Sequence, residues 1–216
     1  MSATQTKKVR LTPFLLAAAL FLSAHPAVSS DAILIRKSGD VEILPRGAKN
    51  FKKASAGAGL RFGDTVQTLK GAKAQILFPG GGAILIKEST SIKLSGKKGA
   101  ILAHVPKGEF LIGIKKRLRI GESFRVKTPA AVASVRGTLF WGLSDDELNS
   151  TYACFQHTIE ISAKGKKTLL QPGEKTSIAY GKAPGKKEQA NIPVEYMDTF
   201  EVDGTIEGFK DMLHEK

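Results

Sequence analysis

Between residues 33 and 180 the chain is a succession of short runs in which apolar and polar residues alternate, each closed by glycine, proline or aspartate after about ten residues. Residues 40–44 (DVEIL) put Val41 and Ile43 on one face. Residues 65–69, 74–78, 83–87 and 91–94 follow in quick succession, then 100–105, 110–114, 124–128 and 138–143. Residues 151–155, 158–162 and 175–178 complete the set. A period of two is that of a pleated strand with one buried face. No run in this region has the 3.6-residue spacing that a strand–helix–strand unit requires. The expected fold is all-β, with many short strands in a sandwich- or solenoid-like arrangement. The 22 glycines of the 216 residues suit the many tight turns this demands.

Two turns can be placed. Pro79-Gly80-Gly81-Gly82 joins two apolar runs and reads as a hairpin loop. Gly63-Asp64 precedes a strand, where glycine supplies a positive φ and aspartate bonds back to the backbone. Gly39-Asp40-Val41 echoes Gly63-Asp64-Thr65, over too short a span to establish a repeat.

Both ends differ from this pattern. Lys7, Lys8 and Arg10 precede a run of about twelve residues from Leu11, broken only by Thr12 and Pro13, and small residues follow at Ala27, Ser29 and Ser30. This is the order of a secretory signal peptide, expected to span residues 1–30. An uncleaved anchor is the alternative, although the run falls short of the roughly 20 residues that cross a bilayer. No cysteine lies near the cleavage point for lipid attachment. The β domain is then expected over 31–181, and residues 182–216 as a linker and helical tail. Residues 182–189 are rich in Gly, Pro and Lys and read as a loose loop. Ile206, Phe209 and Leu213 fall at i, i+3 and i+7, with Met212 beside them and Asp203 as a candidate cap, so a short helix is expected there. It would either dock on the sheet or bind a partner.

Charge and address together narrow the partners. The formal charge is +13, and loss of Lys7, Lys8 and Arg10 leaves about +10. For an exported chain, the anions to expect are lipid headgroups, acidic polysaccharide or acidic protein, and not nucleic acid. Lys115, Lys116, Arg117 and Arg119 put four cations in five residues and make a candidate anion-binding loop; an ordinary solvated loop fits them equally. Lysine pairs at 52–53, 97–98, 115–116, 166–167 and 186–187 spread the charge along the chain, which favours general surface attraction over one precise pocket.

Catalytic patterns are poor. Cys154 is the one cysteine, so no intrachain disulfide forms, and burial is its expected state. His157 lies three positions on, which in a regular strand sends the two side chains to opposite faces. His104, Cys154, His157 and the acids Asp145, Asp146 and Glu147 lack metal-ligand spacing; those acids read as a polar loop. Gly80 to Gly82 lacks the Lys-Ser/Thr and the helix of a phosphate loop. No metal or cofactor is expected, and no enzyme activity.

The stretch Gly59-Leu60-Arg61-Phe62-Gly63-Asp64-Thr65-Val66-Gln67-Thr68, with residues 72–78, resembles the first half of the FecR-like domain family. Gly108-Glu109-Phe110 is similar to that family's glycine-headed central strand. Residues 124–140 (FRVKTPAAVASVRGTLF) resemble its longest motif, and Pro172-Gly173-Glu174 matches near the end. The resemblance covers about residues 39–180 in the expected order. It implies an all-β periplasmic domain of the kind that forms the sensor half of iron-uptake regulators. Those regulators carry a cytoplasmic helical segment and a membrane span where this sequence shows a signal peptide. Gly80 to Gly82 and Leu139 depart from the family pattern, which has an Asp-Gly-Ser-like turn and commonly an acid at those places.

Within the long motif, Pro129 lacks an amide donor and holds Thr128 extended, ending a strand, and Gly137 allows a bend between strands. Arg136 beside it would either tie strands together through carbonyls or a carboxylate, or contact a ligand. The expected function is a non-catalytic periplasmic binding or sensing module for a protein or an anionic envelope polymer. The alternative is a structural or assembly component of an envelope complex. Deleting residues 193–216 separates them, because an assembly part loses its complex and a ligand binder keeps its affinity.

Overall fold

The structure is a computed structural model, and it describes residues 30–79, 81–114, 118–135 and 137–190. Residues 1–29 of the expected signal peptide and the expected tail helix lie outside the described residues. Among the described residues, seventeen strands form one continuous ladder. The first eight are β1 (Ala32–Ser38), β2 (Val41–Leu44), β3 (Lys52–Lys53), β4 (Ala58–Leu60), β5 (Thr65–Thr68), β6 (Lys73–Phe78), β7 (Gly82–Ile86) and β8 (Ser91–Lys97). Next come β9 (Ala100–Ile114), β10 (Ser123–Lys127), β11 (Val132–Val135), β12 (Leu139–Ser144) and β13 (Ser150–Gln156). The last four are β14 (Ile159–Ala163), β15 (Lys166–Leu170), β16 (Glu174–Ile178) and β17 (Lys187–Gln189). There is no helix among the described residues, and so none long and apolar enough to cross a membrane.

The ladder folds into two sheets that share β9. Sheet I runs β4-β1-β6-β7-β9-β12-β13-β16-β17. Sheet II runs β3-β2-β5-β8-β9-β10-β11-β14-β15. Every pairing is antiparallel except β9 with β10. Residues 100–107 of β9 pair in sheet II and residues 108–114 in sheet I, so one strand crosses between the layers.

The alternation seen in the sequence explains the core. Val66 of β5, Ile92 and Leu94 of β8, Phe124 and Val126 of β10, and Ile159 and Ile161 of β14 point inward from sheet II and are buried. Leu34, Ile76, Ile84, Phe110, Phe140 and Tyr152 meet them from sheet I in one continuous cluster. Each such side chain contributes roughly 1.5–3 kcal/mol by leaving water. Phe110 sits edge-on to Phe140 and Tyr152, at centroid distances of 6.3 and 6.4 Å. Gly142 makes room for that ring, because a Cβ there would lie 2.3 Å from its Cζ.

The strands of residues 100–105 and 110–114, expected as separate, are one strand. Pro106-Lys107-Gly108 looks like a turn in the sequence, yet it is the crossing point. Gly108 has φ 112°, and an added Cβ would meet Thr90 Cα at 2.5 Å. The Thr90 hydroxyl donates to Glu109 O at 3.2 Å and accepts from Glu109 N at 3.0 Å, fixing the new direction. Residues 187–189, read as part of a loose loop, instead pair as β17 with β16.

The turns behave as the sequence suggests. Phe78 pairs with Gly82 at the end of the β6–β7 hairpin, with Gly81 at φ 96°. Gly63 has φ 108°, and Asp64 accepts from Arg61 N at 2.9 Å and Arg46 N at 2.7 Å. After β10 the Thr128 hydroxyl bonds the Tyr152 hydroxyl at 2.8 Å and accepts from Ser150 Oγ at 2.8 Å. This buried trio ties the end of β10 in sheet II to β13 in sheet I. Burial raises the Tyr152 pKa well above its ordinary value, partly offset by side-chain hydrogen bonding to Thr128 and to Ser150.

Candidate functional site: a cationic groove

At one end of the sandwich a groove of about 1030 Å³ opens between β3, the turn after β4 and the tip of the β8–β9 hairpin. Three separate parts of the chain supply its cations: Arg46, Lys52 and Lys53, then Arg61, then Lys97 and Lys98. Pairing brings them together. β2 holds β3 on one side and β5 on the other, β5 pairs with β8, and Gly63 N donates to Leu94 O at 2.7 Å. The sequence suggested spread charge, but two of its lysine pairs, about 45 positions apart, share this groove.

The groove's carboxylates are occupied by backbone. Asp64 holds the amides of Arg46 and Arg61, and Asp31 Oδ2 accepts from Phe62 N at 2.8 Å. Of the six cations, Lys53 alone has a carboxylate partner among the described residues, Asp40 at 4.0 Å. Two acids locked to backbone and six cations leave a strong positive field for an anion. Ile43 and Phe62 supply apolar floor beside it.

The sequence-predicted anion loop is only partly described. Lys115, Lys116, Arg117 and Arg136 lie outside the described residues. Arg119 is exposed, and its backbone N–H donates to Glu122 Oε2 at 2.9 Å. It lines a smaller cleft of about 350 Å³ with Phe78, Ile101 and Phe124, and Lys98 lines both this cleft and the groove. Arg119 therefore lies close to the groove.

Cys154 is fully buried, and its thiol donates to the carbonyl of His157 at 3.3 Å while the His157 side chain is exposed. Burial pushes the thiol pKa up to about 12, with opposing help from backbone hydrogen bonds, so thiolate is scarce at neutral pH. Asp145 accepts from Asn149 N at 2.8 Å inside the β12–β13 turn, as a polar loop residue does. Among the described residues no three His, Cys, Asp or Glu side chains converge on a metal position. His104 faces outward from sheet II between Lys93 and Lys127; partial burial and then these two charges lower its pKa.

Residues 64–160, the stretch that contains β9 and the Thr128–Tyr152 tie, match the sequence model of the family described as FecR protein. Over residues 64–160 the chain carries a FecR domain. Two crystal structures of candidate anti-sigma factors from Parabacteroides distasonis ATCC 8503 share the fold, each with a TM-score of 0.51. One is 18% identical, covering 65% of this chain and 64% of that one; the other is 16% identical, covering 70% and 75%. The chain thus spans a little under two thirds of the first of these structures. No curated protein matches it. The first wall of the groove, Arg46 to Arg61, precedes the matched residues, and Lys97 and Lys98 fall inside them. Leu139, a departure from the family pattern, is buried on the outer side of sheet I.

Proposed function

We propose that the chain is a non-catalytic binding or sensing module of the bacterial envelope, brought to the periplasm by its N-terminal leader. Its cationic groove takes an anionic ligand, either an acidic envelope polymer or an acidic segment of a protein. The observation that carries this reading is the convergence of Arg46, Lys52, Lys53, Arg61, Lys97 and Lys98 around carboxylates already engaged by backbone amides. An open groove in which cations outnumber carboxylates six to two suits an extended polymer better than a compact small molecule. A protein partner is in keeping with the anti-sigma description of the two fold relatives.

The test is binding of the processed protein to three probes: polyglutamate, polygalacturonate, and vesicles containing anionic lipid. Lys52→Glu, Lys97→Glu and Lys98→Glu together are expected to abolish retention on the preferred probe, and added salt to weaken it in the parent. Retention indifferent to both changes would remove the groove from consideration. Reversal at Arg119, on the neighbouring cleft, is expected to have a smaller effect.

A further inference from the structure

The outer side of sheet I carries a second apolar cluster, separate from the core between the sheets. Leu85 of β7, Leu111 of β9, Leu139 and Trp141 of β12, and Ala153 and Phe155 of β13 form it, with Ala190 just beyond β17. All come from sheet I or from the chain leaving it, and no described strand is stacked over them. Yet Leu111 is only 1% exposed and Leu139 3%. Two glutamines border the patch: Gln75, opposite Leu85, and Gln156, opposite Leu139. Opposed residues of an antiparallel pair share a face. Gln75 Nε2 and Gln156 Oε1 are buried without a hydrogen-bond partner among the described residues. Buried amide groups of this kind call for a partner brought by whatever lies against them.

We propose that the chain's own C-terminal segment, residues 203–216, docks across this face over Leu85, Leu111, Trp141 and Phe155. Ala190 is itself a member of the cluster, so the chain leaves the described fold at the patch, with 26 residues still to place. Ile206, Phe209 and Leu213 have the spacing of one helical face. From β7 to β13 the patch crosses three strand gaps, roughly 14 Å. A helix of about ten residues is roughly 15 Å long. The segment has the length and the apolar stripe the face needs. This inference is independent of the groove.

Trp141 is the one tryptophan in the chain, so its emission reports on the patch. The processed chain is compared with its Phe209→Asp/Leu213→Asp variant. Docking predicts a red shift and faster amide exchange in β12 for the variant, with sheet circular dichroism unchanged. A chain ending at Ala190 should show the same red shift, and a peptide of residues 193–216 added to it should reverse the shift. Identical spectra for parent and variant, or no response to the peptide, would overturn the proposal. A parent signal that changes on dilution as a dimer dissociates would assign the face to a second copy instead. Red-shifted emission already present in the processed parent, but not in the unprocessed chain, would assign it to the leader.

Discussion

The two outer faces of the sandwich differ sharply although both are built from alternating strands. Sheet II turns Lys93, Arg125 and Lys127 outward, with His104 partly exposed among them and Glu160 paired to Lys167 at 3.0 Å near its far edge. Sheet I turns Leu85, Leu111, Trp141 and Phe155 outward, and they are largely buried. Only at the margin does it become polar: Glu109 accepts from Trp141 Nε1 at 2.8 Å and pairs with Lys87 at 3.4 Å. The same backbone pattern thus makes one wet face and one dry face. Large buried apolar residues on the outside of a two-layer fold mean that a third layer belongs there.

Substitutions at matched positions test this contrast most directly. Leu111→Asp places an uncompensated charge in the dry face and is expected to cost about 3–5 kcal/mol in denaturant unfolding, the scale of an unpaired buried charge. Arg125→Asp on the wet face should stay within about 0.5 kcal/mol. Equal costs would erase the distinction. Next comes the strand that serves both sheets. Gly108→Ala combines a positive φ with a clash against Thr90 backbone, and should cost about 2–4 kcal/mol. Gly121→Ala, also at positive φ but in open space, should cost about 1–2 kcal/mol, the backbone strain alone.

Smaller still is the tie between the layers. Tyr152→Phe deletes the hydroxyl bonded to Thr128 and should cost about 1–2 kcal/mol, read from the shift of the unfolding midpoint. The smallest effect is on the wet face. The lowered pKa of His104 means that below 6.5 the unfolded chain takes up a proton the folded chain resists. Stability is therefore unaffected above that range and falls as pH drops through 6.5 toward the lower folded value. His104→Gln should flatten this acid arm slightly, and an unchanged pH profile would show that neither burial nor the charges of Lys127 and Lys93 disfavour the protonated imidazole.

Much of the fold could be read from residues alone, because Val66, Ile92, Leu94, Phe124, Val126, Ile159 and Ile161 alternate cleanly. Strands lacking that signature were not legible. β11 reads Val-Ala-Ser-Val and β15 Lys-Lys-Thr-Leu-Leu, and their state is set by neighbours across the ladder more than by local preference. The continuity of β9 was hidden because Pro106 and Gly108 normally punctuate, and only the presence of two sheets turns that punctuation into a crossing. The burial of Cys154 and the role of Asp64 were foreseeable from residue type and position. The groove was not. Lys52-Lys53 and Lys97-Lys98 become neighbours through the β2–β5–β8 order, a long-range result that a count of charges along the chain cannot contain.

The position of β9 also sets an order of assembly. In both sheets every earlier strand lies on one side of it and every later strand on the other. A polypeptide arriving amino end first can build its leading lobe, but that lobe gains its last partner only when residues 100–114 emerge. The same fifteen residues then offer two fresh edges on which the trailing lobe is laid down, so one segment ends the first half of folding and templates the second.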